Sequence, residues 1–257
     1  MKSILNHLAI ATVCIFAAPP AFAEYSLEEE TLYADDYQKS AQQNPGDRTA
    51  LDTEDPIFML KTGHILSKTT LSLSNKSIAR LSEQLSIGVN DHLTILANLD
   101  YQQDFDGNKY GFSGPDVGGI YRILRTGILT DLLAGVQFSG ADRVPEFAAA
   151  RYYIGARAGK QWSWLTVSGT LQASWIFDET HGHAYIDLIP EAYFRLFYDW
   201  SLGFSAGVRK STAPNFNKEW LGGRLAKRYG RTIYAGVAEY EFEHEEWRLG
   251  ARLNILF

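Results

Sequence analysis

The sequence predicts an all-β chain, a transmembrane antiparallel up-and-down β-barrel of about twelve strands, with ten or fourteen as the alternatives and both termini in the periplasm. Three observations predict it. An export signal opens the chain, and no apolar run of helix length follows it. Long segments then alternate strictly between apolar and polar residues, at the roughly nine to eleven residues that a tilted membrane strand needs. The last of them, EEWRLGARLNILF (245–257), keeps its alternation to the final residue.

The first stretch, MKSILNHLAIATVCIFAAPPAFA, has Lys2 near its start, an apolar middle and Ala21-Phe22-Ala23 as a cleavage site. It reads as a signal peptide over residues 1–23, cut before Glu24. The apolar run is too short and interrupted for a membrane anchor, and Val13 is too large to precede a lipidated cysteine. Cys14 is the only cysteine, so the exported chain has neither disulfides nor thiolate metal ligands. No cofactor is expected. The chain carries 30 acidic and 24 basic residues, a net charge of −6, and nucleic acid is not an expected partner. A membrane protein built of helices is excluded, which leaves an outer-membrane barrel or a soluble β-sandwich.

Residues 24–60 form a separate zone, EYSLEEETLYADDYQKSAQQNPGDRTALDTEDPIFML, acidic and poor in β-branched residues through its first thirty or so. Two readings stay open for it: a flexible periplasmic leader, or a plug that folds back into a basic lumen. The barrel is expected over 61–257.

Within that span HLTILANLDYQQ (92–103) puts Leu93, Ile95, Ala97, Leu99 and Tyr101 on one side, and Thr94, Asn98, Asp100 and Gln102 on the other. WSWLTVSGTLQASWIF (162–177) alternates for longer still. Strands of soluble domains run about five or six residues, so these lengths favour the membrane. The full segmentation is 62–74, 78–89, 92–104, 115–125, 128–138, 147–160, 162–177, 184–197, 200–210, 218–229, 231–242 and 246–257. Tight turns at 89–92, 125–127, 160–162, 198–200 and 229–231 alternate with longer polar loops at 104–114, 139–147, 178–183 and 211–219, and with short links at 74–77 and 243–246. Short periplasmic turns and longer outer loops are the asymmetry of such barrels.

A charge near the bilayer midplane on the lipid side costs roughly 2–4 kcal/mol, so the apolar side of each strand is assigned outward. Asp100, Asp116, Arg122, Asp131, Arg151, Arg157, Asp187, Glu191, Arg195, Arg209, Glu239, Glu241, Arg248 and Arg252 then face a lumen. Trp162, Trp175, Phe177, Tyr198, Trp200, Trp220, Tyr229, Phe242 and Trp247 sit at or near strand ends, as in two interfacial aromatic girdles. Two residues break the pattern. Glu83 falls on the outward side, and Pro190 removes a ladder donor within a strand; a bulge, or shorter strands, would account for both.

The pair of strands in LSIGVNDHLTILANLDYQ (85–102), joined by a tight Asn-Asp turn, resembles the paired-strand motif of small Gram-negative outer-membrane barrels of the porin kind. GPDVGGIYRIL (114–124) is similar to a strand of the meta-pathway phenol-degradation family of outer-membrane transporters, a resemblance that implies passive uptake of small or aromatic compounds. The alternating carboxy-terminus with Trp247, Leu249, Leu253, Ile255 and Phe257 on one face looks like the signal read by the outer-membrane assembly machinery.

For chemistry, no histidine lies in a serine or carboxylate constellation, so an enzyme is not expected; a lipid-active enzyme at the rim ranks third among the functions considered. His181 and His183, with Asp178 and Glu179 beside them, are the only metal candidates, and a plain polar loop accounts for that composition. EFEHEEW (241–247) is an acidic link that could take cations bridging lipopolysaccharide phosphates, or a solvated loop. The inward arginines carry most information. They either line a water-filled pore for small solutes or pair with Asp131, Asp187, Glu191, Glu239 and Glu241 and fill the lumen. The first reading gives a porin-like channel, with outer-membrane lipid, lipopolysaccharide, the assembly machinery and small solutes as partners. The second gives a non-conducting barrel with a structural or adhesive role.

Overall fold

The computed structural model of the chain describes residues 52–144, 147–177, 182–213 and 217–257, all within one unit, Pro45–Phe257. The expected signal peptide (1–23), residues 24–51 of the expected leader, and Asp178, Glu179 and His181 lie outside the described residues.

Among the described residues the strands are β1 Ile65–Ser74, β2 Ile78–Asn90, β3 Leu93–Asp104, β4 Lys109–Phe112, β5 Asp116–Leu124, β6 Leu129–Gln137, β7 Ala150–Gln161, β8 Leu165–Phe177, β9 His183–Arg195, β10 Trp200–Ser211, β11 Lys218–Tyr229, β12 Thr232–Glu241 and β13 Glu246–Leu256. They form one sheet, and the β2–β3 pairing closes it. The short β4 pairs only with the end of β3, from Tyr101↔Phe112 to Asp104↔Lys109. The other twelve make an antiparallel up-and-down ring, sealed where β1 meets β13 from Leu66↔Leu256 to Ser74↔Arg248. The Phe257 amide donates to the Ile65 carbonyl at 2.8 Å and extends that seam to the last residue.

Period-two patterning drives the closure, because every strand has one face for lipid and one for the interior. In β13 Trp247 and Leu249 are exposed while Asn254, on the opposite face, is completely buried. Ring closure leaves no open edge, so every wall strand has a partner on both sides. Exposed aromatics gather at the two ends: Trp162, Trp164, Phe197, Tyr198, Trp200 and Tyr229 at the tight turns, and Tyr110, Phe112, Tyr152, Phe177, Tyr240, Phe242 and Trp247 near the longer loops. Trp220 departs from this. It lies on the inner face, its ring pressed over the backbone of Gly207, where an added Cβ would stand 2.0 Å from the ring.

Neither exception in the sequence pattern is a bulge or a short strand. Glu83 does face outward, in a 13-residue strand whose register is unshifted there, and the hydroxyls of Ser67 and Thr69 on β1 donate to its two oxygens at 2.7 and 2.5 Å. Side-chain hydrogen bonds across a lipid-facing strand pair replace the water this carboxylate lacks. Pro190 sits in the full-length β9. The pairing to β10 holds at Ser205↔Glu191 and Val208↔Leu188 and is missing in between, so the absent amide interrupts the ladder without displacing it. The register does shift elsewhere, between Gly88 and Asn90 and between Arg122 and Leu124, both next to tight turns.

The two ends of the ring are covered differently. Near the longer loops, the segment after β6 turns inward: the Ala141 amide donates to the Phe112 carbonyl, and Val144 and Phe147 are fully buried. Phe147 lies under Arg80 of β2, with 5.6 Å from guanidinium carbon to ring centre. At the tight-turn end the chain preceding β1 enters the ring. It crosses β2 at Gly88, where a Cβ would stand 2.1 Å from the Lys61 carbonyl oxygen, so only glycine admits the crossing.

Candidate functional site

Residues 52–60, Asp-Thr-Glu-Asp-Pro-Ile-Phe-Met-Leu, hold the interior at the tight-turn end. Their local shape follows from the Asp-Pro pair. Asp55 Oδ1 accepts the Ile57 amide at 2.9 Å and the Asp55 carbonyl accepts the Phe58 amide at 3.0 Å, a turn that proline at position 56 pre-sets. The turn divides the segment into an acidic half and an apolar half. Phe58 and Leu60 pack on Leu66 of β1 and Leu256 of β13. Asp52, Glu54 and Asp55 are all buried.

Each carboxylate meets cations from the wall. Asp55 bonds to Arg195 of β9, to the Thr166 hydroxyl of β8 at 2.7 Å and to the Gln161 amide of β7 at 2.9 Å. Asp52 accepts from the Tyr193 hydroxyl at 2.5 Å and lies 3.3 Å from Arg195 Nε. Glu54 lies 3.3 Å from Arg224 Nε of β11 and 3.2 Å from Arg252 Nη1 of β13, and it accepts from Asn254 Nδ2 at 2.7 Å. The backbone is gripped as well. Lys68 of β1 donates to the Thr53 carbonyl at 2.7 Å, Arg122 of β5 to the Ile57 carbonyl at 2.6 Å, and Arg157 of β7 to the Pro56 carbonyl. The grip therefore comes from strands on opposite sides of the ring.

Burial pushes the Asp52 carboxyl up to about 6, against the Tyr193 hydrogen bond and the Arg195 charge. Burial pushes Glu54 the same way, but Arg252, Lys68 and Arg224 outweigh it and hold Glu54 below the ordinary value of 4.5. Glu54 is thus ionised across the neutral range, while Asp52 changes charge within reach of it.

The remaining inward charges pair along the walls. Asp131 holds both Arg122 (2.7 Å) and Arg157 (2.6 Å), and Glu191 takes Arg224 at 3.2 Å. Nearer the long loops, Arg209 and Asp187 make a two-pronged pair at 2.7 and 3.0 Å, and Arg151 meets Asp116 at 3.5 Å. Asp100 takes Arg80 at 2.5 Å, Lys218 reaches Glu241 at 2.5 Å and Glu239 at 3.8 Å, and Arg248 meets Glu246 at 2.7 Å. His183 opens β9, and among the described residues no group of three or more His, Cys, Asp or Glu could hold a metal.

Lys68, Arg80, Tyr193, Arg224 and Asn254, and the three leader carboxylates, join the site without being among the residues expected there from the sequence. Alternation within their own strands puts Lys68, Arg80, Tyr193, Arg224 and Asn254 on the inner face, so that signal was present for the wall residues. For the leader, the signal was the Asp-Pro turn followed by four apolar residues, Ile57–Leu60, beside three carboxylates. Arg224 and Arg252, which hold Glu54, also line a cavity of about 210 Å³ together with Thr70, Ser72, Ser205, Glu239 and Arg248.

No family model matches the sequence, and no curated protein matches it significantly. Solved structures do share the fold. The COG4313 outer membrane channel from Pseudomonas putida F1 superposes with a TM-score of 0.59 at 12% identity, covering 80% of this chain and 98% of that one. The NanC porin gives 0.58 at 9% identity, and the KdgM porin 0.55 at 11%, each over 74% of this chain and 98% of the other. The chain thus has the porin-like fold of outer-membrane β-barrels.

Proposed function

We propose that the protein is an outer-membrane channel for small solutes, with its tight-turn end in the periplasm and residues 52–60 acting as a plug that closes it. One observation carries the reading: three buried carboxylates outside the sheet neutralise Arg195 and Arg252 on the inner wall and share Arg224 with Glu191. A wall built only to fill itself would draw its counter-charges from its own strands, as Arg209 does from Asp187. Counter-charges on a separate segment can leave as a unit. Once they leave, the arginines face water and favour anionic or polar solutes, as rings of charge do in channels. The same reading makes the β13 face of Trp247, Leu249, Leu253, Ile255 and Phe257 the contact for the assembly machinery.

Wall-to-wall ion pairs such as Arg209–Asp187 and Arg80–Asp100 favour the second reading, a non-conducting structural barrel. Planar-bilayer recording separates the two. The chain refolded without residues 24–58 is expected to conduct, with anion preference, while the longer exported chain stays mostly closed. Absence of conductance in both forms would establish the structural barrel instead.

A further inference from the structure

Resting on the reading that residues 52–60 close the channel, we infer that the cavity lined by Arg224, Arg248 and Arg252 is a binding site for small organic carboxylates, and that a bound carboxylate competes with Glu54 for Arg224 and Arg252. Glu54 itself shows what this wall holds. Its carboxylate lies 3.3 Å from Arg224 Nε, 3.2 and 3.4 Å from Arg252 Nη1, and 2.7 Å from Asn254 Nδ2. Arg252 Nη1 and Asn254 Nδ2 donate to its two oxygens, and Arg224 Nε stands against it as a charge while Arg224 Nη1 is held by Glu191 at 3.2 Å. Two guanidinium charges and an amide thus make a carboxylate receptor. The internal side chain occupies it as a resident ligand.

Space for a competing ligand adjoins the same groups. The cavity of about 210 Å³ shares Arg224 and Arg252 with Glu54 and adds Arg248 and the hydroxyls of Thr70, Ser72 and Ser205. One acid, Glu239, also lines it, 3.8 Å from Lys218, so three arginines face one carboxylate there. Arg252 Nε donates to Thr70 Oγ1 at 3.1 Å, so one hydroxyl already orients the guanidinium. A carboxylate lodged here meets the arginines, and polar substituents on its carbon skeleton meet the hydroxyls. Neutral solutes of the same size gain only the latter. A carboxylate that takes over the arginines weakens the tie of the acidic half of the segment to β11 and β13. The solute then acts as the key to its own channel, because it replaces the charge that keeps the segment docked.

Direct binding tests this without relying on conduction. Titration calorimetry of the full exported chain in detergent, at constant ionic strength, would use sodium gluconate and glucose as the charged and neutral probes. Gluconate is expected to bind and glucose not. Glu54→Gln removes the charge of the internal competitor and should tighten gluconate binding by at least about tenfold, since the receptor is then open for a larger fraction of the time. Arg252→Gln should abolish it in either background. Equal binding of the two probes, no gluconate binding to wild type or to Glu54→Gln, or an unchanged affinity in Glu54→Gln would each overturn the inference. The probe comparison in wild type and Glu54→Gln stands even where Arg252→Gln fails to fold. Binding without conductance in any form would leave this site standing and remove the channel reading. Conductance after removal of residues 24–58, without gluconate binding, would do the reverse.

Discussion

The two ends of the barrel interior use the same chemistry with different ownership. Near the long loops Arg80, Arg151, Arg209 and Lys218 are matched by Asp100, Asp116, Asp187 and Glu241, all of them in the wall strands. At the tight turns the wall pairs Asp131 with Arg122 and Arg157, and Glu191 with Arg224. Among the described residues, however, Arg195 and Arg252 find their carboxylates only in Asp52, Asp55 and Glu54, which no strand contains, and Glu54 also shares Arg224. A buried pair inside one wall can be broken only by deforming the sheet. A pair between wall and segment breaks when the segment moves. The difference teaches that ion pairing in a lumen says little about closure until the covalent origin of each partner is known.

The largest effect should come from neutralising the segment in the full chain. Asp52→Asn, Glu54→Gln and Asp55→Asn together strand several buried cations, and losing even one buried pair costs about 3–5 kcal/mol. Amide exchange over residues 52–60 should accelerate by two orders of magnitude or so, and bilayer conductance should rise with it. Asp187→Asn makes the matching change at the other end. It should lower stability to urea by about 3 kcal/mol and leave the closed state closed. If Asp187→Asn opened the channel as the triple change does, the two ends would not differ in the way described.

The pH dependence is subtler, and its sign comes from two groups. Asp52 is raised on docking, so its contribution is full below 3.8 and is lost as pH rises through about 6. Glu54 is lowered, so its contribution is present above 4.5 and is lost as pH falls through its docked value. The segment should dock best in mild acid, and raising pH from 5 to 8 should increase exchange at residues 52–60 and raise conductance. Asp52→Asn should flatten that rise; a steeper rise in the variant would reverse the assignment. The smallest effect belongs to the lipid face. Glu83→Leu removes a carboxylate held by Ser67 and Thr69 but leaves two hydroxyls facing lipid, so stability should change by less than about 1 kcal/mol in a urea titration.

Much of this was legible in the residues. Strict alternation placed Arg122, Asp131, Arg157 and Arg252 on one face and Leu249, Leu253 and Ile255 on the other, because a strand's side chains can only alternate. Glu83 breaks the pattern of its own strand, and a single strand's pattern contains no information about its neighbour. The hydroxyls that satisfy it come from β1 at the paired position Thr69 and two residues away at Ser67. The place of Trp220 near a strand end predicts an interfacial anchor, whereas the bare backbone of Gly207 opposite makes room for it inside.

The sequence by itself determined the wall: twelve long alternating strands, apolar outward, charged inward, with short turns at one end. That much is local, since period, length and turn chemistry are properties of neighbouring residues. Only the tertiary structure decided which charges meet. Asp131 finds Arg122 and Arg157 across adjacent strands, and Glu54 finds Arg252 across 198 residues of chain. Coulomb attraction selects partners by distance in space, and ring closure sets those distances only after the last strand has met the first.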